Sequence, residues 1–206
     1  MTIIEEIEKK SETFTENLKV YIAAPFFKHR EISLVKSIEK ILDDTPGVSY
    51  FSPLKNSQKL SDIITPEMDF NEREDILNKI EFNKLVQIME CPLMIAVIDD
   101  KDISTMIEIG IAKSLGKMII THTSKNFGSN LMISQYALCH TKTLEGLRLA
   151  IKHVNYIYNE TPILERIGKE VQIFPVADNL KNTLRLTLKD QEFGIHFNPK
   201  LPPENK

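Results

Sequence analysis

Glycine and cysteine are scarce in this sequence, with seven glycines and two cysteines among 206 residues. The glycines form neither GxGxxG nor GxxxxGK(S/T), so the backbone cradles that hold dinucleotides or nucleotide phosphates are excluded. Cys91 and Cys139 are too few for a disulfide framework or a four-ligand zinc site. We therefore expect a protein of the reducing cytoplasm.

The sequence also lacks a surplus of positive charge, a long apolar run and a clustered metal-binding motif. Lys and Arg number 26 against 29 Asp and Glu, which is not the basic balance of a nucleic-acid-binding protein. The longest apolar run, Leu93–Ile98, is too short to span a bilayer, and the Glu-rich start lacks the apolar core of a secretion signal. The five histidines are scattered and no GxSxG motif occurs. Among the catalytic chemistries considered, only that of carboxylate side chains remains.

Strand and helix patterns alternate along the chain. Continuous apolar runs at Leu93–Ile98 and Met118–Thr123 are typical of strands buried on both faces. The segment between them has apolar residues at helical spacing. This alternation predicts an α/β fold, a parallel sheet with helices on both faces, which binds ligands beyond the carboxyl ends of its strands. The predicted strands are 18–24, 48–52, 93–98 and 118–123, and the predicted helices are 31–42, 70–90, 103–115 and 144–158.

The ends of the chain differ in composition from its middle. Residues 1–17 are short of apolar side chains and predict a peripheral segment. Residues 18–159 predict the α/β domain, and residues 160–206 predict a C-terminal extension, either a hairpin or a dimerisation arm. Residues 53–68 are expected to form a polar loop longer than a plain connection needs.

The stretch after the third predicted strand carries the most informative carboxylates. Asp102 or Ser104 marks the start of the next helix, at the ligand-binding edge of the sheet, where an acidic side chain is an N-cap or a ligand. Glu108 lies within Met106–Ala112, where every other residue is apolar or glycine. We expect this carboxylate to be partly desolvated with a raised pKa, as suits a nucleophile or base. The alternative is a capping box in which Glu108 folds back onto the backbone at Thr105.

Four segments occur in order along the chain: YIAAPFF at Tyr21–Phe27, YFSPL at Tyr50–Leu54, DISTMIEIG at Asp102–Gly110 and NLM at Asn130–Met132. Together they resemble the nucleoside 2-deoxyribosyltransferase family, over roughly residues 18–155. The resemblance implies a flavodoxin-like parallel sheet and a homo-oligomer in which neighbours complete each other's sites. It also implies nucleoside and free nucleobase as partners, with no nucleic acid and no membrane.

The resemblance further implies a role for each matching side chain. Glu108 would attack the anomeric carbon, Tyr21 would orient Glu108, and Asp102 would hold the sugar hydroxyls. Asn130 would enter a neighbouring subunit's site and bind the 5′-hydroxyl. A carboxylate stabilises an oxocarbenium-like transition state and can capture the sugar covalently, with no metal or organic cofactor. The remaining candidates for substrate contact are Phe26, Phe27, Gln58, Asn83, Lys84, Ser104 and Met132.

Some of these positions depart from the family pattern or have a plainer explanation. Lys84, with Asn83 beside it, stands where the family has an Asp that handles the base, and a protonated Lys cannot accept a base N–H. Either base recognition differs here, or Asn83 takes over, or transferase activity is lost. The plainer explanation is that Lys84 is a solvated helix residue, which is the commoner case for lysine. Gln58 is one residue out of register with a base-contacting glutamine. An aromatic pair after a buried strand stacks on a base or, more commonly, lies in the core. Asp102 would repel a 5′-phosphate, which favours a free nucleoside, although Ser104 and Ser129 could still bind phosphate.

The sequence leaves three functions open. The leading hypothesis is an enzyme of the N-glycosyl bond that uses Glu108, either a deoxyribosyltransferase or a nucleoside hydrolase, which differ only in the acceptor. The second is a nucleoside- or nucleotide-binding sensor or recruiting module without turnover, motivated by Lys84 and the unmatched extension. The third is a nucleotide or NAD glycohydrolase on a similar scaffold, also with a catalytic Glu.

Overall fold

Strands and helices alternate in the computed structural model, which describes residues 17–56, 63–99, 102–125, 131–160 and 195–196. The strands of this part of the chain are β1 (Leu18–Ala23), β2 (Val48–Phe51), β3 (Leu93–Val97), β4 (Met118–His122), β5 (Cys139–Thr141) and β6 (Ile195–His196). Its helices are α1 (His29–Asp43), α2 (Pro53–Asn56), α3 (Phe70–Glu90), α4 (Ile103–Ser114), α5 (Leu131–Tyr136) and α6 (Leu144–Glu160).

The strands form one sheet in the order β2-β1-β3-β4-β5-β6. Every pair among the first five strands is parallel, and β6 adds an antiparallel strand beside β5. In the central register Tyr21 of β1 lies between Phe51 of β2 and Met94 of β3. The 2-1-3-4-5 order of the parallel strands confirms the predicted α/β fold and its flavodoxin-like topology.

Each face of the sheet has its own cluster of buried residues, and the side chains of each strand alternate between the two faces. On one face, Val20 belongs to a core cluster with Ile38 of α1 and with residues of α6. On the other, Tyr21 belongs to a cluster with Ile88 of α3 and Ile109 of α4. β1 therefore directs Tyr21 toward the layer formed by α3 and α4.

All eight predicted elements are present, and each end lies within two residues of its predicted position. Gly116 follows α4 with a φ of 68°, so it ends this helix in the left-handed conformation that glycine adopts without strain. The prediction missed α5 and β5, and it assigned the single turn of α2 to a loop. A strand of three residues is too short to show a period of two.

Several predictions fall outside the described residues. These are the peripheral segment apart from its last residue, Gln58, Ser129, Asn130, and the extension apart from its first residue and β6. In the part of the chain that is described, no helix has both the length and the apolar character needed to cross a bilayer.

Candidate active site

The candidate site lies where β1 and β3 are neighbours in the sheet. The chain leaves β1 toward β2 on one side and leaves β3 toward β4 on the other, and such a reversal opens a crevice at the carboxyl ends of the strands. Tyr21 belongs to β1, Asp102 lies between β3 and α4, and Glu108 lies in the second turn of α4. The fold thus brings Tyr21 into one region with Asp102 and Glu108, which lie far from it in the sequence.

A hydrogen bond joins Tyr21 to Glu108. The Tyr21 hydroxyl donates to Oε1 of Glu108 over 3.2 Å. The tyrosine is fully buried, and its ring stacks on Phe51 with centroids 5.7 Å apart and 13° between the planes. Because Phe51 lies opposite Tyr21 in the β1–β2 register, strand pairing fixes the position of the ring. Glu108 therefore accepts from a rigidly held donor.

The capping alternative for Glu108 is wrong. The N-cap of α4 is Asp102, whose Oδ2 accepts from the backbone N–H of Thr105 at 2.9 Å and from its hydroxyl at 3.0 Å. Thr105 lies inside the helix and cannot be the cap onto which Glu108 would fold. Both bonds end on Oδ2 of Asp102, so the described residues leave its Oδ1 for another partner.

Burial raises the pKa of Glu108 to about 7. The ammonium of Lys84 and the hydrogen bond from Tyr21 lower this pKa, because both favour the ionised form. The negative charges of Asp102 and Glu81 raise it. Near neutral pH the carboxyl group therefore exchanges readily between its ionised and protonated forms. Burial, and then the Glu108 charge, raise the pKa of Tyr21 above its ordinary range, so its hydroxyl remains a donor.

Phe26 and Phe27 form a stacked pair in the loop after β1, with ring centroids 5.5 Å apart and 25° between the planes. Phe27 is 78% exposed, so the core explanation is wrong for this residue, and Phe26 is half-buried. Glu31, in the first turn of α1, holds the loop. Its Oε2 accepts from the backbone N–H groups of Phe27 and Lys28, both at 2.9 Å.

The other described candidates differ in exposure. On α3, Lys84 is half-buried and Asn83 is exposed. Ser104 is exposed in the first turn of α4, and Met132 on α5 is 60% exposed. Of these four, only Lys84 exerts a charge effect on the pKa of the candidate nucleophile.

Three side chains that support the site were missed by the sequence reasoning. Phe51 packs against Tyr21, and Glu31 fixes the loop of the aromatic pair. Glu81 adds a carboxylate one helical turn before Lys84. Two signals could have found Glu31 and Glu81: a Glu at the third helical position bonds back to preceding N–H groups, and i, i+3 spacing places Glu81 beside Lys84.

Comparisons with known proteins match the fold and this region. The model of the nucleoside 2-deoxyribosyltransferase family matches residues 20–149. The solved structure of a 2-deoxyribosyltransferase from the psychrotolerant bacterium Bacillus psychrosaccharolyticus is similar at a TM-score of 0.52 and 25% identity, over 63% of this chain and 90% of that chain. A conserved protein from Enterococcus faecalis V583 matches at a TM-score of 0.42 and 14% identity, over 84% of this chain and 99% of that one. No curated protein matches.

The family match spans more than half of the 206 residues. It includes four of the five parallel strands in full and most of β1, and it contains Tyr21, Asp102 and Glu108. The chain therefore belongs to the nucleoside 2-deoxyribosyltransferase family.

Proposed function

We propose that the chain cleaves the N-glycosidic bond of deoxynucleosides through a covalent glycosyl-Glu108 intermediate and passes the sugar to another base or to water. The observation that carries this proposal is the hydrogen bond from buried Tyr21 to Glu108. It holds a partly buried carboxylate, with a pKa of about 7, beside the crevice where folds of this topology bind ligands. Family membership supports the reaction class.

In the first step, a Glu108 oxygen forms a bond to C1′ of the sugar while the bond from C1′ to the base nitrogen breaks. The electron pair of the broken bond stays on the base, which takes up a proton. Asp102 binds sugar hydroxyls through Oδ1, since its Oδ2 is engaged by Thr105. The carboxylate stabilises positive charge on the sugar, and its partial exclusion from water strengthens that effect.

In the second step, a nitrogen of a free base or the oxygen of water attacks C1′ from the side that the first base left. The acceptor loses a proton, and the Glu108 carboxylate is released unchanged. Two displacements retain the configuration at C1′. Because transfer and hydrolysis differ only in this acceptor, the same groups of the chain serve both reactions.

Incubation of the full chain with deoxynucleosides, with and without a second free base, tests the proposal. We expect release of the first base in both reactions, and a new nucleoside when the second base is the acceptor. Tight nucleoside binding without turnover across all four bases would instead identify a binding module. Release of nicotinamide from NAD would identify a glycohydrolase. A 5′-monophosphate is expected to react more slowly than the free nucleoside, because the Asp102 charge repels it.

We further propose that the chain is a homo-oligomer in which Asn130 of one copy enters the site of its neighbour. Large apolar side chains support this proposal: Ile103 and Ile107 on α4 are 76% and 56% exposed, and Met132 on α5 is 60% exposed. α4 and α5 pack together, so these side chains lie on adjoining elements. Exposed apolar surface of this kind is typical of interaction sites.

Mixing two inactive variants tests this exchange of side chains. Glu108→Gln and Asn130→Ala are each expected to lack activity, but a mixed dimer pairs the intact Glu108 of one copy with the intact Asn130 of the other. After subunits exchange at random, about one quarter of wild-type activity should return. No recovery, while native mass spectrometry shows oligomers that contain both variants, would mean that Asn130 serves its own chain.

A further inference from the structure

Two oppositely charged residues of α3, Glu81 and Lys84, share a helix face with a residue of the core beneath the site. Positions 81, 84 and 88 lie on one face of a helix because they are spaced by three and four residues. Ile88 is 1% exposed and belongs to the same apolar cluster as Tyr21 and Ile109. Ile88 therefore holds this face of α3 against the core. Toward the N-terminus of the helix, the same face continues with Lys84 and then Glu81, which lie near the candidate nucleophile Glu108.

Glu81 and Lys84 are unpaired within the described chain. Neither makes a hydrogen bond or ion pair with a described residue, and they do not pair with each other despite their i, i+3 spacing. Lys84 is nevertheless half-buried, while its neighbours Phe82 and Asn83 are exposed. Its charge acts on Glu108 without direct contact. A partly desolvated cation without a partner favours binding of a ligand that supplies one.

The geometry of nucleophilic displacement at C1′ places the base where Lys84 and Glu81 could contact it. Glu108 must attack C1′ from the side opposite to the base, with the reacting atoms about 3–3.5 Å apart. The base then lies beyond C1′, several ångströms from the carboxylate. A group that binds the base must therefore be close enough to influence Glu108 electrostatically but too far to touch it. α3 packs against α4, the helix that carries Glu108, and Lys84 and Glu81 on α3 both meet this condition.

We propose that Lys84 and Glu81 together bind the lactam edge of the base, the ring C=O next to N–H that 6-oxopurines and 4-oxopyrimidines carry. This inference rests on the proposed function. An ammonium has only donors and a carboxylate only acceptors, so Lys84 pairs with the carbonyl and Glu81 with the adjacent N–H. Adenine and cytosine present an amino donor next to a ring-nitrogen acceptor, the reverse arrangement. Both contacts would then be mismatched, which disfavours these bases.

The same contact assists departure of the base. When the bond from C1′ to nitrogen breaks, its electron pair remains on the base, and in an oxo-base the negative charge spreads onto the carbonyl oxygen. The Lys84 ammonium stabilises this charge as it develops. The base then takes up one proton from solvent. Lys84 therefore favours oxo-bases in the rate of the first step as well as in binding.

Two substrate pairs that differ only at the lactam edge test the proposal: deoxyinosine against deoxyadenosine, and deoxyuridine against deoxycytidine. We expect kcat/KM of the wild type to favour the oxo member by about 10- to 100-fold. Lys84→Met and Glu81→Gln should each reduce both ratios, because each variant removes one of the two discriminating contacts. Both members of a pair depend on the same Glu108, so any change in its ionisation cancels in the ratio. Lys79→Met is the matched control, since it removes the same charge from another, exposed side of α3.

Equal ratios in the wild type and Lys84→Met, or a wild-type preference for the amino members, would overturn the proposal. Absence of all cleavage by the wild type would overturn the proposed function instead, and binding of the free bases would then decide the inference. By calorimetry, hypoxanthine should bind Lys84→Met at least about tenfold more weakly than the wild type, whereas adenine should bind no more weakly. An unchanged affinity for hypoxanthine would rule out the lactam contact.

Discussion

Glu108→Gln is expected to abolish turnover while leaving the fold intact. The amide has the shape of the carboxylate and still accepts the hydrogen bond of Tyr21 through its oxygen, but it cannot form a stable glycosyl ester. We expect kcat to fall on the order of 10⁴-fold or more, as when a covalent nucleophile is removed. Mass spectrometry of protein quenched during turnover should detect one deoxyribosyl unit on the wild type and none on the variant.

Glu145→Gln is the matched control for this experiment, because Glu145 is a carboxylate of α6, the helix on the opposite face of the sheet. Its turnover should equal that of the wild type. A Glu108→Gln variant that releases base as fast as the wild type would show that Glu108 is not the nucleophile.

The same substitution should stabilise the folded chain at high pH. Burial raises the pKa of Glu108 from 4.5 to about 7, so between these values the folded state holds a proton that the unfolded state releases. Stability from this proton is therefore lost as the pH rises toward 7. Ionising the partly buried carboxylate costs roughly 1–3 kcal/mol, which the amide avoids. The Tm of the variant should exceed that of the wild type by roughly 2–10 °C above pH 7, and the difference should vanish below pH 4.5.

The rate of the wild type should depend on pH through the same carboxyl group. A nucleophilic Glu108 must be ionised, so kcat/KM should fall about tenfold per pH unit below pH 7. Tyr21→Phe removes a hydrogen-bond donor that favours the ionised form of Glu108. The acidic limb of the pH–rate profile of this variant should therefore move to higher pH. An acidic limb at the same pH in Tyr21→Phe and in the wild type would mean that another group controls the rate.

His122, at the end of β4, is expected to make the fold sensitive to acid. Its side chain is buried, and its Nδ1 lies 2.9 Å from Oγ1 of Thr141. Burial lowers the pKa of His122 from 6.5 to about 4, although the charge of Asp99 acts in the opposite direction. Between these values the unfolded chain takes up a proton that the folded chain excludes. Stability is therefore lost as the pH falls, by about 3 kcal/mol over the full window.

Comparison of the wild type with His122→Asn isolates this effect, because other carboxyl and histidine groups contribute equally to both proteins. The free energy of unfolding in urea, measured above pH 6.5 and near pH 4, should fall by about 3 kcal/mol more for the wild type. His29→Asn, an exposed histidine in the first turn of α1, is the control and should show the wild-type loss. Equal losses in the wild type and His122→Asn would show that His122 is protonated in the folded state.

Short-range patterns were sufficient to predict most of the fold. The period of α3, the apolar runs of β3 and β4, and the glycine after α4 each depend on neighbours within one or two helical turns. The alternation of these elements then permits few arrangements other than a doubly covered parallel sheet. β5 was not predicted, because its three residues join the sheet by pairing with β4 and show no sequence pattern of their own.

The candidate site was predictable only in part. A glutamate among apolar residues on a helix was enough to identify Glu108 and to anticipate its raised pKa. The choice between a capping role and a free carboxylate depended on which residue caps the N-terminus of α4, and that residue is Asp102. The exposure of Phe27 likewise depended on the course of a loop that Glu31 holds.

Periodicity along the chain thus set the elements and marked the candidate nucleophile, since these depend on interactions between near neighbours. Contacts across long sequence separations set the surroundings of that carboxylate: the Tyr21 hydroxyl comes from 87 positions away, and Glu81 and Lys84 come from another helix. Such contacts follow from strand register and helix packing, which bring together segments that share no local pattern.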